Sequence, residues 1–399
     1  MAFSMKERQA VLRELADRYR KAGKKERGTV LDEVVGLCGY SRAYAGRRLR
    51  HYCLYGTTTE PAARTRRATY GAETLIPLRK IWEILDEPCG KRLAPYLPEI
   101  VPVLERFGEL HLSPPVREKL LSVSAATIDR LLRADRESCR LKGRSRTKPG
   151  TLLRHQIPVR TFTQWDEQRP GFLEIDLVSH DGGVAQGDWI QTLDATDVCS
   201  GWTETRAVRN KAQRYVFAAL MDIRKSLPFP LLGLDSDNGS EFINAHLSRY
   251  CQAEGLTFTR SRPYRKNDSC FVEQKNWTVV RQTVGYARYD TEKELDILGE
   301  LYQSLRLYTN FFQPQMKLQA KTRQGARVHK RYDEARTPYR RLLDSPHLSA
   351  QHKEKLEAQY PTLNPVALRA TIDALQRRLV AHSKLKELLR RREVRATAL

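Results

Sequence analysis

The feature that most limits the fold is a change of rhythm between residues 166 and 311, where helical periodicity gives way to short β-patterned runs alternating with helices. Residues 171–180 (GFLEIDLVSH), 188–196 and 201–208 read as strands, the third following a Cys199-Ser200-Gly201 turn. Beyond them the patterning predicts a helix over 211–226, a strand over 231–235, a helix over 242–253, a strand over 256–259 and a helix over 269–283. Three successive strands followed by helix–strand alternation call for a layered α/β domain with helices on the faces of a sheet.

The flanks read differently. Residues 27–50 look like a helix-turn-helix: Leu31, Val34, Val35 and Leu37 supply an apolar face, Gly39 a left-handed turn, and Ser41 an N-cap. The second helix carries Arg42, Arg47, Arg48 and Arg50, as major-groove reading requires, although a solvated basic hairpin has the same pattern. A second helical pair spans 113–133, with Val116, Leu120 and Leu121 on one face, a Ser124 cap, and Ile128, Leu131 and Leu132 inward. Between the two pairs, residues 75–110 are expected to be helical with joints at Pro88, Pro95, Pro98 and Pro102. Residues 140–160 hold seven Lys/Arg, no acid and no periodicity, a linker whose Arg144, Arg146 and Lys148 suit a phosphate backbone. The final third is expected to be helical and basic. Its Leu368, Ile372, Leu375, Leu379 and Leu385 form a stripe after an Asn364-Pro365 helix start, for a core or an oligomer contact. The expected division is 1–65 and 66–139 as helical DNA-binding modules, 140–165 as linker, 166–311 as catalytic domain and 312–399 as a basic DNA-binding or oligomerisation region.

With 70 Lys+Arg against 47 Asp+Glu the chain carries a formal charge of +23, which calls for a polyanionic partner. No apolar run approaches the roughly 18 residues of a membrane span, and the N-terminus lacks an apolar signal core. The seven cysteines never form Cys-x-x-Cys, a pattern of reduced thiols rather than of a disulfide framework or a zinc site. Nucleic acid is therefore the expected partner, with no membrane involvement and a cytoplasmic, nucleoid-associated location.

Three acids stand out against this background. Phosphodiester cleavage by two metals needs carboxylates converging on ions about 3.5–4 Å apart. Asp176 shares a strand face with Glu174 and Val178 in an apolar run, where a carboxylate costs several kcal/mol unless paired or metal-bound. Asp237 ends the fourth strand, before the Asn238-Gly239 turn, where ligands gather in open α/β sheets. Glu273 lies on a helix whose opposite face is expected to carry Val272, Asn276 and Val279. Glu174 and Asp235 are expected to form salt bridges, and Asp194, Asp197 and Glu241 to serve turns and helix caps.

Here a resemblance can be named. Asp237-Asn238-Gly239-Ser240-Glu241-Phe242 resembles the second-aspartate motif of retroviral integrases and integrase-like insertion-sequence transposases. Glu273 follows Asp237 by 36 positions, the spacing of the D,D-35-E class, and Asp176 in Glu-Ile-Asp-Leu matches its first-strand aspartate. Pro263-Tyr264 precedes Glu273 as the family's loop does, and Cys199-Ser200-Gly201-Trp202 is similar to its turn after the second strand. Lys266, Asn267, Asp268 and Cys270 depart from the usual Pro-Gln-x-x-Gly, and the viral His/Cys zinc module has no counterpart. Over residues 166–285 the resemblance implies an RNase H-like domain with Asp176, Asp237 and Glu273 as catalytic metal ligands for two Mg²⁺ ions, Mn²⁺ substituting.

Around these acids Arg260, Arg262, Arg265, Lys266 and Lys275 suggest a rim for backbone phosphates, with Lys275 pointing away from Glu273 toward DNA. Tyr264 is placed to stack on a terminal base or on its own loop. His180 is expected to be hydrogen-bonded, and Trp202 and Trp277 to be core. The implied activity is a DNA transposase that frees a 3′-OH at transposon ends and joins it to target DNA, working as a dimer or larger oligomer on double-stranded DNA. A structure-selective nuclease on the same fold, or a DNA-binding regulator with an inactive domain, are the alternatives.

Overall fold

The structure, a computed structural model, describes residues 3–56, 69–138, 168–184, 186–236, 242, 244–260, 270–325 and 327–397. It divides into two units, Met1–Gly71 and Ala72–Leu399.

The first unit packs α1 (Met5–Lys21), α2 (Lys24–Cys38) and α3 (Arg42–Tyr55) around Leu12, Leu15, Val30, Val34, Cys38, Ala45 and Leu49. Ser4 and Glu7 close a reciprocal cap on α1. Gly39 ends α2 at φ 67°, and Ser41 Oγ accepts the Tyr44 amide to start α3, both as the sequence predicts. The buried face of α2 is Val30, Val34 and Cys38 at i, i+4 spacing, so Leu37, expected inward, stands 44% exposed.

The second unit opens with helices: α4 (Ala72–Ile84), α5 (Gly90–Leu93), α6 (Leu97–Arg106), α7 (Pro114–Ser122), α8 (Ala125–Leu131) and α9 (Arg133–Ser138). Pro95 and Pro98 sit in first turns, where a missing N–H costs nothing. Pro102 was expected to break its segment but lies inside α6. The interior proline costs about 3 kcal/mol, and buried Ile100, Val101, Val103 and Leu104 around it offset that. Ser124 caps α8 as expected, its Oγ accepting the Thr127 amide.

The sheet runs β3 (Thr203–Val208), β2 (Gln191–Asp197), β1 (Phe172–Ser179), β4 (Gly233–Ser236), β5 (Thr257–Arg260). β1–β2 and β2–β3 are antiparallel; β1–β4 and β4–β5 are parallel. Alternation gives its faces opposite characters. One presents Leu173, Ile175, Leu193 and Leu234 to α10 (Gln213–Ser226) and α11 (Ala245–Ala253), burying Val216, Leu220, Ile223 and Leu247. The other presents Glu174, Asp176, Thr192, Asp194, Thr196 and Asp235 toward the helices that come after β5. These are α12 (Cys270–Lys275), a π-helical turn (Asn276–Arg281), α13 (Gln282–Val284) and α14 (Glu292–Phe312). This is an RNase H-like α/β core.

The last third is not helical throughout. A hairpin of β6 (Leu318–Gln324) and β7 (Arg327–Tyr332) precedes α15 (Pro338–Asp344), α16 (Ala350–Gln359) and α17 (Pro365–Thr397). Residues 318–332 lack a 3.6-residue apolar period, and Gly325 follows β6 at φ 58°, a conformation that favours glycine. The α17 stripe buries Ile372, Leu375 and Leu379 against α14, but Leu385 is 54% exposed. At that level the neighbouring Lys386 turns inward instead, into a buried ion cluster with Glu294 and Asp290. No helix among the described residues is long and apolar enough to cross a membrane.

Candidate active site

Asp176 and Asp194 are partners in the β1–β2 register, so their side chains leave the same sheet face side by side. Asp176 is half-buried; its Oδ2 accepts the Asn276 side-chain amide at 2.6 Å and its Oδ1 the Leu177 amide at 2.8 Å. Asn276, expected on the face away from Glu273, therefore points into the site, as i, i+3 neighbours on a helix must.

Asp194, expected in a turn, is mid-strand and fully buried. Its Oδ1 meets the Thr196 hydroxyl, and its Oδ2 has no hydrogen-bond partner among the described residues. Burial pushes this carboxyl well above its ordinary range and Asp176 adds to the effect, while Lys275 and Thr196 oppose it. Lys275 itself is half-buried, facing the charge of Asp194 from α12. Burial, with Arg92 and Arg341, pushes its ammonium down to about 7 against the pull of Asp194. It also lines a cavity of about 270 Å³ with Cys89, Arg92, Gln282, Tyr308 and Arg369.

Glu174, expected to form a salt bridge, forms none among the described residues. Its Oε2 accepts the Val272 amide at 2.8 Å and the carboxyl also takes the Phe271 amide, so a sheet carboxylate caps the first turn of α12. Burial pushes this carboxyl well above its ordinary range, reinforced by Asp235 and Glu273. Asp235, opposite Glu174 in the β1–β4 register, accepts the Thr259 hydroxyl at 2.5 Å. Glu273 is exposed in the turn that Glu174 caps.

Asp197 serves its turn as expected, accepting from Gly171 N, Ser200 N and Ser200 Oγ. His180 is buried against Thr192, 2.7 Å away, which in turn meets Tyr302; burial pushes its imidazole down to about 3, so the ring stays neutral. Trp202 is core, whereas Trp277 is only half-buried. Arg260 is buried. In the first unit Arg42 is tied to Asp32, Arg48 lies over the Tyr52 ring, and Arg47 and Arg50 are exposed. Asp237, Glu241, Arg262, Tyr264, Arg265, Lys266, Asp268, Arg144, Arg146 and Lys148 lie outside the described residues.

Among the described residues no three His, Cys, Asp or Glu side chains form a complete metal set. What is present nonetheless suits a hard divalent cation: carboxylate oxygens on neighbouring strands, one of them buried and without a donor. Asp194 and Asn276 left signals in the sequence. Thr192, Asp194 and Thr196 alternate onto the Asp176 face, and Asn276 follows Glu273 by three.

An α/β core of this topology with its carboxylates on one sheet face defines a class, and sequence comparison gives the family. Residues 166–266 match the model of the integrase core domain, a span that includes Asp176 and Asp237 but ends before Glu273. A protein of Sinorhizobium fredii (strain NBRC 101917 / NGR234), uncharacterized protein y4rM, is 44% identical over 329 residues, covering 82% of this chain and 93% of its own. The chain belongs to one family with that Sinorhizobium protein, and its residues 166–266 carry an integrase core domain. Among solved structures, the catalytic core domain of BIV integrase aligns at 19% identity and TM-score 0.28, over 44% of this chain and 95% of that one. The HTLV-2 integrase catalytic core in complex with magnesium, in its dimeric form, aligns at 13% identity and TM-score 0.28, over 36% and 89%.

Proposed function

We propose that this chain is a DNA transposase that hydrolyses one strand at the ends of its element to free a 3′-OH and joins that hydroxyl to target DNA. The observation that carries the reading is the register pairing of Asp176 with a buried, incompletely hydrogen-bonded Asp194, beneath the helix that bears Glu273. Family membership and the charge of +23 add to it.

In this reading Asp176, Asp237 and Glu273 hold divalent ions, Mg²⁺ with Mn²⁺ as substitute. Bound there, the ions would supply charge stabilisation to the attacking and leaving oxygens of an in-line displacement at phosphorus. The chain's own residues set the geometry. Asn276 fixes the carboxylate plane of Asp176 by one charge-assisted hydrogen bond. Glu174 anchors the first turn of α12 and with it the position of Glu273. Lys275 tempers the negative potential around Asp194. Hydrolysis and joining are both displacements at phosphorus, so one site serves both. The α2–α3 pair, read as a helix-turn-helix, would bind end DNA through Arg47 and Arg50, with residues 140–165 tracking its backbone. Bringing two ends together calls for at least a dimer.

The test incubates purified protein with labelled end DNA, a plasmid target and Mg²⁺ or Mn²⁺, beside Asp237→Asn. The expected result is metal-dependent nicking and joined product, both lost in the variant. Cutting without joining would establish a nuclease instead, and binding with no chemistry under either metal would establish a regulator.

A further inference from the structure

The β6–β7 hairpin is a cationic ribbon without counter-charges. Residues 318–332 contain five Lys/Arg and His329 and no acid. Its described residues are exposed nearly throughout, Val328 and Tyr332 by 45% and 44%. Lys321, Arg323, Lys330 and Arg331 form no ion pair among the described residues. Elsewhere in the same unit Arg206, Arg288, Arg306, Arg341 and Arg369 are all paired. Lys321 stands directly opposite Lys330 in the register, an arrangement that destabilises a ribbon. An isolated two-stranded hairpin is marginal in water to begin with.

Its root, by contrast, is firmly held. The Lys317 amide donates to Asp333, Arg341 grips Asp333 and the Gln315 carbonyl, and Gln315 bridges Arg336. The Lys317 ammonium donates to the carbonyls of Val198 and Cys199 at the sheet and lies over the ring of Phe271, in the first turn of α12. The ribbon thus leaves the fold beside the helix that carries Glu273.

We propose that β6–β7 lodges in the major groove of duplex DNA next to the bond being processed, gripping phosphates on both walls. The inference rests on the reading of the chain as a DNA-processing enzyme and names the surface that grips the duplex. Cations on both ribbon faces, Lys321 and Lys330 on one and His329 and Arg331 on the other, need anionic walls on two sides. A groove provides two; an acidic protein surface provides one. The B-DNA major groove, about 12 Å wide, admits a two-stranded ribbon, whereas the A-form RNA groove is too deep and narrow.

The test measures binding to a random-sequence DNA duplex by fluorescence anisotropy across a potassium chloride series. Wild type is compared with the full chain carrying Lys321→Ala, Arg323→Ala, Lys330→Ala and Arg331→Ala. Each phosphate contact contributes about 0.9 to the slope of log affinity against log salt, so the variant's slope should be shallower by about 3–4 and its affinity lower by about tenfold or more. Arg323→Lys with Arg331→Lys, which keeps the charge, should keep the slope. A quadruple variant with wild-type slope and affinity overturns the ribbon while leaving the DNA reading standing. A wild-type chain that does not bind DNA at all overturns both. Equal losses on DNA and on an RNA duplex overturn the groove assignment, as would loss of self-association with DNA binding intact.

Discussion

Buried carboxylates are handled in opposite ways at two places in the second unit. Along the α14–α17 seam every one meets a cation. Lys386 Nζ lies 2.7 and 2.9 Å from the oxygens of Glu294 and 2.9 Å from Asp290, and Asp290 also takes Arg288 and Arg390. At the sheet edge Glu204 receives a forked pair from Arg306, with Arg206 and the Trp202 indole completing its shell. On the α12 face of the sheet, Glu174 and Asp194 are as deeply buried but make no ion pair among the described residues, where each keeps an oxygen without a donor. Removing a charge from water costs several kcal/mol unless a partner compensates. A chain that compensates so fully elsewhere leaves Asp194 only the facing Lys275, whose own ammonium is pushed down, so a deficit of positive charge remains at the face that carries Asp176.

The largest expected effect breaks the comparison directly. Asp176→Asn should lower metal-dependent nicking by at least about a thousandfold, since metal clamping supplies several kcal/mol of transition-state stabilisation. It should also abolish the stabilisation by Mn²⁺ that wild type shows in thermal melts, about 2.7 kcal/mol at a hundredfold excess over Kd. Melts that rise equally in both proteins would mean that the deficit is not a metal site. Next comes the seam. Lys386→Met strands Glu294 and Asp290 and should cost about 3–5 kcal/mol in denaturant unfolding of the second unit. A loss under about 1 kcal/mol would show that the seam is no better compensated than an exposed pair.

The smallest effect concerns acid. Burial raises the Asp290 carboxyl, but hydrogen bonds from Arg390, Arg288 and Lys386 outweigh it, so the group sits below the ordinary carboxylate range. Its stabilising contribution is complete above that range and is lost as pH falls through the depressed value. The raised carboxyls of Glu174 and Asp194 accept protons without that loss. Amide exchange on acidification should therefore accelerate in α17 before β1, and simultaneous loss in both would erase the distinction.

Much of the fold was legible because its signals are local. Strand alternation, the Gly39 turn and the Ser41 and Ser124 caps each depend on a few neighbouring residues. The site was less legible, since its wiring is long-range. That Glu174 would cap a turn nearly a hundred residues away, or that Asp194 would stand beside Asp176, follows from register and not from either segment alone. The β6–β7 ribbon escaped because polar, charged residues carry no hydrophobic period, and Leu385 was misread because a stripe does not reveal where an ion cluster takes over.

The π-helical turn at Asn276–Arg281 bears on how this site tolerates change in chain length. Such a turn is a local widening by one residue. An i→i+5 turn spans nearly the same rotation as the i→i+4 turn of an α-helix, so it takes in one extra residue while the helix on either side keeps its phase. Loss of one residue within 277–281 would leave a smooth α-helix with Glu273 and Asn276 still facing the sheet and α13 still docked. The same loss within α12 would turn Glu273 by about 100°. The helix carries its spare residue next to the site, and a deletion there is the one it can absorb.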